Sequence, residues 1–395
     1  MTDESKVFLE LGLPPVPVLA EGVLELWYGS HEAASAALES LGSCVGQAFT
    51  DWRFERCLEG LAGVTPSLSG AVDPVLLPVP RRFLSVHDLE RIAGCRAGIE
   101  HVDVRHQLID DGLENTLIRP ETPYVLHALV EGRATGVDIT NPGMPRVRPT
   151  GWSIRDNKYQ LPPPEMTRPL VELIIEVLDA RVAPPPALGA WAAFTFLSVH
   201  PFVDGNGRLA RLLYLAVASN SLPHLDLGVF EQVAQNRHGY VNTLQLGQQT
   251  TPHWDPRKLD AGPFVSAMIG WSAAGADRQC EQIHAVDIAC QQLLDRFPGL
   301  DDDGLGSLIG VWLNRGSKLT SPGSDPSAGG DRPNCPVGRK LEELASAGLV
   351  ERVTEPPSRR VGGRTGLVYQ MTPSAAAVLQ KVGVRRIAPT DTNDS

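Results

Sequence analysis

A histidine, a carboxylate, two glycines around an asparagine and two arginines fall within the twelve residues His200–Arg211, and those types in that order suit chemistry on a phosphate ester. Asp204-Gly205-Asn206-Gly207 reads as a sharp turn whose glycines take positive φ and leave backbone N–H groups uncovered. A helix then begins, with Leu209, Leu212, Leu213 and Ala216 on its buried side. Exposed amides at a helix N-terminus attract anions. Arg208 and Arg211, three residues apart and so on one face, add guanidinium forks that match phosphate oxygens. Asp204 offers a hard oxygen ligand, enough for a magnesium ion that bridges two phosphates and keeps several waters. His200, a neutral imidazole at the mouth of this cradle, is placed to take a proton from an incoming hydroxyl.

Taken singly, these features are ordinary: a DGNG turn serves loops generally, and a histidine beside Phe202 is more often structural. Their conjunction is not. A calcium loop fails because Leu215 stands where the bidentate glutamate would be, and a Walker loop fails for want of its Gly-Lys-Ser/Thr ending.

The elements that must position these residues read as mainly helical. Leu24–Phe49 and Leu84–Gln107 read as amphipathic helices, the second from Leu89, Ile92, Ile99 and Val102. Leu170, Leu173, Ile174, Val177 and Leu178 mark a further helix. PPPALGAWAAFTFLSVH then forms one that is apolar nearly all round, hence central, and delivers His200 at its end. Between Pro142 and Pro164, the Pro/Gly frame with Trp152 and Ile154 alternating before Asp156-Asn157 reads as a β-hairpin. Arg315–Pro336 is too rich in Ser, Gly and Pro to hold a core element. Beyond it come a helix stopped at Gly348, a strand, a charged turn and a second strand, the order of a winged helix.

The run His200-Pro201-Phe202-Val203-Asp204-Gly205-Asn206-Gly207-Arg208-Leu209-Ala210-Arg211 resembles the Fic signature, H-P-F-x-D/E-G-N-G-R-x-x-R, at every fixed position. The similarity extends from Leu126-His127, through PGMPRVRPTGWSI and PPPE, to NRHGYVNTL and Trp254. It implies a protein adenylyltransferase, moving AMP from ATP to a Ser, Thr or Tyr hydroxyl of a target protein and of itself. The implied roles are His200 as general base, Asp204 as magnesium ligand, and Gly205, Asn206 and Gly207 as anion hole. Arg208 and Arg211 would lie on the phosphates, Phe202 would anchor the core, and Tyr240 would lie near the adenine or in the core. The hairpin Arg148–Tyr159, with Arg148, Trp152 and Ile154, would be the flap that docks the target by strand addition. The intact GNGR differs from the lysine-containing loop of the phosphorylating Doc relatives. Alternatives of another kind are a winged-helix regulator whose Fic domain senses nucleotide, and an AMP-removing enzyme.

Many Fic proteins carry an inhibitory Ser/Thr-x-x-x-Glu-Gly/Asn helix whose glutamate pairs with the second signature arginine. Glu59-Gly60 is the candidate, with Glu55 in the Ser/Thr position and Glu100 and Glu131 as rivals. The expected division is 1–115 N-terminal helical region, 116–275 Fic core, 276–386 winged-helix-like domain and 387–395 disordered tail. Within Asp331–Arg386 ten Lys/Arg face five Asp/Glu, which suits either protein contact, the favoured reading, or DNA. The whole chain of 395 residues carries a net charge of -11, against a role in coating nucleic acid or an anionic membrane. Six scattered cysteines and an acidic N-terminus suggest free thiols and a cytoplasmic protein; a homodimer is left open.

Overall fold

The structure, a computed structural model, describes residues 12–63, 86–110, 118–131, 143–147, 159–218, 228–248, 254–314, 336–353 and 368–379. The hairpin residues 148–158, the linker 315–335, the charged turn 354–367 and the tail lie outside them. Thirteen α-helices occur among the described residues, with one two-stranded sheet. The helices are α1 Val23–Glu39, α2 Ser43–Ala62, α3 Val86–Asp110, α4 Thr122–Glu131, α5 Pro164–Ala180, α6 Pro185–Val199 and α7 Asn206–Ala218. Then come α8 Gly228–Gln235, α9 Arg237–Gln248, α10 Gly262–Arg296, α11 Asp302–Asn314, α12 Pro336–Ser346 and α13 Pro373–Leu379. Among the described residues no helix is long and apolar enough to cross a membrane.

Two units divide the chain, the first drawing on Met1–Ser35, Phe54–Pro66 and Leu84–Arg278, the second on Ala36–Arg53, Ser67–Phe83 and Gln279–Ser395. The N-terminal residues thus belong partly to each. Leu24–Phe49, expected as one helix, is two. α1 ends at Glu39, and Gly42 precedes a fresh start at Ser43, from which α2 runs on to Ala62. A glycine and two serines offer the backbone alternatives to helical bonding there.

In the first unit α6 is the axis. Every residue from Pro186 to Val199 is buried, as a sequence apolar on all faces requires. Pro184 and Pro185 open it, where a missing N–H costs nothing. It packs along α7 and against α5, while α3 and α4 also contact α7. Leu209, Leu212, Leu213 and Ala216 of α7 are all buried, and α5 contributes Leu170, Ile174, Val177 and Leu178.

The second unit has its own core of Val45, Phe49, Trp52, Ile283, Leu308, Ile309, Leu341 and Leu344. α12 stops at a left-handed Gly348 (φ +71°), and strands Val350–Val353 and Val368–Met371 pair antiparallel, Val350 opposite Met371. Helix, strand and strand follow in the expected order.

Candidate functional site

His200 sits one residue past the last turn of α6, in the left-handed region (φ 50°, ψ 59°), with its N–H on the Phe196 carbonyl at 2.8 Å. Only Arg181 shares a positive φ among the described non-glycine residues. The position costs a β-carbon-bearing residue about 1–2 kcal/mol, so other contacts must hold it. The residue is only 8% exposed, deeper than the mouth of a cradle. Burial lowers its pKa to about 4, and the nearby Arg146 guanidinium pushes the same way, so the imidazole is neutral at pH 7.

The loop from His200 to Asn206 is clamped at several points. Asn206 opens α7, and its side chain accepts from the Phe202 N–H (3.0 Å) and donates to the Phe202 carbonyl (2.8 Å). That side chain therefore serves the loop, leaving only the Asn206 backbone to face an anion. His127, on α4, stacks on Phe202 with ring centroids 3.8 Å apart. Its Nδ1 accepts from the Gly143 N–H (2.8 Å), so the proton lies on Nε2, which donates to the Asp204 carbonyl at 3.1 Å. Asp204 itself turns outward, Oδ1 taking the Gly205 N–H at 2.7 Å.

Of the two signature glycines, only Gly205 takes a positive φ (+79°); Gly207 already lies in the first turn of α7. A β-carbon on Gly205 would stand 2.4 Å from Glu131 Oε1, whereas one on Gly207 would meet Arg211 Nη1 at an ordinary 3.5 Å. The first helical bond runs from the Leu209 N–H to the Gly205 carbonyl, so the N–H groups of Asn206, Gly207 and Arg208 precede the helical ladder. Gly205→Ala is expected to cost more than about 2 kcal/mol in urea unfolding, from left-handed strain plus collision. Gly207→Ala should cost nothing or stabilise slightly. Equal costs would remove this distinction.

The arginines, expected together on one open face, take separate partners. Arg208 is buried and pairs with the buried Glu131 at 2.6 Å, with Asp204 Oδ2 at 3.8 Å. Burial raises the Glu131 carboxyl's pKa and Arg208 pulls it down. Arg211 gives Nε and Nη2 to the Leu61 carbonyl at the end of α2 (3.1 and 2.7 Å) and lies beside the buried Tyr240 hydroxyl. Tyr240 is also core, edge-on to Phe264 at 5.2 Å.

Glu59, on that same turn of α2, directs its carboxylate to Arg56 at 3.4 Å. Leu61, two residues on, is what engages Arg211, through its backbone carbonyl. Burial pushes the Glu59 carboxyl up to about 7, against the pull of Arg56. The folded chain thus keeps a proton that the unfolded chain releases between about pH 4.5 and 7, and this group erodes stability as pH rises through that window. Glu59→Gln is expected to melt higher than the wild type at pH 8 and level with it near pH 4.5. A difference independent of pH would exclude this account.

The sequence model of the Fic/DOC family matches residues 125–218, the stretch from α4 through α7. Those residues are a Fic/DOC family domain. A Fido domain-containing protein of Dictyostelium discoideum is 55% identical over 29 residues, 7% of this chain and 20% of that relative, so the match spans about a fifth of its length. Among solved structures, Fic-1 from C. elegans is similar at TM-score 0.48 and 19% identity, over 65% of this chain and 71% of that one. A Fic family protein from Desulfovibrio desulfuricans G20 gives TM-score 0.47 and 16% identity, over 91% and 98%. A Fic domain containing signaling protein from Bacteroides thetaiotaomicron gives 0.48 and 16%, over 67% and 96%.

Within the Fic domain, His200 and Asp204 lie between α6 and α7, and Arg208 lies in the first turn of α7. Arg148, Trp152 and Ile154 lie outside the described residues. Arg146 was not among the residues expected in the site and Tyr159 was expected only as the end of the flap hairpin, yet both hold the backbone around His200. An arginine in a proline-rich stretch shows no periodicity that would mark it as buried. Glu131, considered only as a rival inhibitory residue, proves to be the partner of Arg208.

Proposed function

We propose that this chain is a protein adenylyltransferase that moves AMP from ATP onto a Ser, Thr or Tyr hydroxyl of a target protein. The observation that carries the reading is the neutral, buried His200, held four residues before an outward-facing Asp204 and the open N-terminus of α7. The backbone N–H groups of Asn206, Gly207 and Arg208 would receive phosphate oxygens, with Arg208 adding its charge while Glu131 keeps it oriented. The target hydroxyl oxygen attacks the α-phosphorus in line, the bond from that phosphorus to pyrophosphate breaks, and the hydroxyl proton passes to His200. A ring pKa near 4 makes a weak base, and the negative charge of a bound triphosphate would raise it.

Asp204 fits a magnesium ligand, since its side chain is 47% exposed and a nucleotide-bound magnesium needs only one or two carboxylates. When bound, magnesium would neutralise charge on the phosphates. Tyr240 would serve the nucleotide through Arg211, and Arg148, Trp152 and Ile154 would dock the target. For the second unit we propose a winged helix that contacts protein, supported by its helix–strand–strand order; binding of random duplex DNA at low salt, read by fluorescence anisotropy, would replace that with DNA.

The test is incubation with magnesium and ATP labelled at the α or the γ phosphate, followed by intact mass. Retained α label supports AMP transfer. Retained γ label alone makes the chain a kinase, and no label moves the reading to a nucleotide-sensing regulator or an AMP-removing enzyme.

A further inference from the structure

Four successive carbonyls, Ser198 to Pro201, end α6 and carry His200, and a helix C-terminus supplies no partners for its own last carbonyls. Here two residues from outside the helix take them. Arg146 Nε donates to the His200 carbonyl at 2.8 Å and Nη2 to Val199 at 3.4 Å, with Nη2 also on Pro162. The Arg146 backbone N–H donates to the Pro201 carbonyl at 2.8 Å. Tyr159 Oη donates to the Ser198 carbonyl at 2.9 Å. Arg146 is 3% exposed, and the hydrogen-bond partners described for it are carbonyls. Burying a guanidinium against neutral acceptors is costly, and the negative end of the α6 dipole offsets only part of that.

We propose that Arg146 is a positioning residue for His200, which with Tyr159 ties the end of α6 so that the imidazole keeps its left-handed seat. A histidine there lacks the freedom of the glycine that usually occupies such a cap. One fork reaching two successive carbonyls, with its own backbone on the third, fixes the turn that carries the ring, while the ring itself bonds to the Leu197 backbone. The Arg146 charge near the ring also opposes its protonation, which keeps the base available. What the tie achieves rests on the transfer reading above; the tie itself does not.

The test uses the full chain with Arg146→Lys and Tyr159→Phe, thermal melts to verify folding, and two readouts. Modification of His200 by diethyl pyrocarbonate, followed by peptide mass spectrometry with the other histidines as references, reports the ring's freedom without turnover. Transfer from α-labelled ATP gives kcat and KM. Lysine keeps the charge but presents a single ammonium where a planar fork stood. His200 modification is expected to quicken about five- to tenfold in Arg146→Lys and about twofold in Tyr159→Phe, with the other histidines unchanged. kcat should fall about tenfold or more while KM for ATP stays within about twofold. An unchanged His200 rate in folded Arg146→Lys, or in Tyr159→Phe should the lysine variant not fold, overturns the proposal. So does equal quickening of every histidine, which would report general loosening. A wild type that transfers no label overturns the transfer reading instead, and the modification rates still decide the tie.

Discussion

His200→Ala is expected to lower transfer of α label by about 10²- to 10⁴-fold, the range that a positioned general base contributes. ATP affinity should change by no more than about twofold, because in the proposed reading the α7 amides and Arg208, not the imidazole, would hold the phosphates. Burial places the free ring's pKa near 4, so the wild-type rate for free enzyme should stay level from about pH 6 to 8 and fall only in more acid solution. An ordinary histidine would already lose half its activity near pH 6.5. Full transfer by the alanine variant would end the assignment of His200 as base. An acid limb centred near 6.5 would keep the base but refute the burial argument.

The second large effect is on stability. Glu131→Ala leaves Arg208 buried without its 2.6 Å partner, and breaking a buried pair from one side costs about 3–5 kcal/mol. For a chain of this size, that is a fall of about 4–6 °C in Tm. The outward Asp204, 3.8 Å away, is already engaged by the Gly205 N–H and is poorly placed to compensate. Urea titration reads the change, and a loss below about 1 kcal/mol would mean that Arg208 finds water or another partner. Arg208→Met with Glu131→Leu should recover much of the loss, since replacing both partners removes the uncompensated charge. That double variant should still fail to transfer label, which separates the pair's part in stability from its part in chemistry.

Much of the first unit was legible because its signals are local. A fifteen-residue run that is apolar nearly all round reads as a central helix, and α6 is one; the period of Leu170, Ile174 and Val177 marks α5. Gly348 stops α12 where a glycine in the left-handed region should. The break at Gly42 was missed because the Ala-rich run on one side and the apolar residues on the other share a helical period, and one glycine does not by itself end a helix.

The site divides along the same line. The residue types from His200 to Arg211, and the charge and backbone amides they bring to one loop, were determined by the sequence alone, since twelve consecutive residues cannot be scattered by folding. Which partner each arginine takes was decided only by the tertiary structure. Arg208 meets Glu131 from α4, 77 positions before it in the chain, and Arg211 meets the end of α2, 150 positions before it. Spacing within a segment reports which residues share a face; it carries nothing about which distant helix will cover that face. The same reason explains Arg146: its role depends on four carbonyls that helix α6 leaves without partners, and where those carbonyls end up is a property of packing.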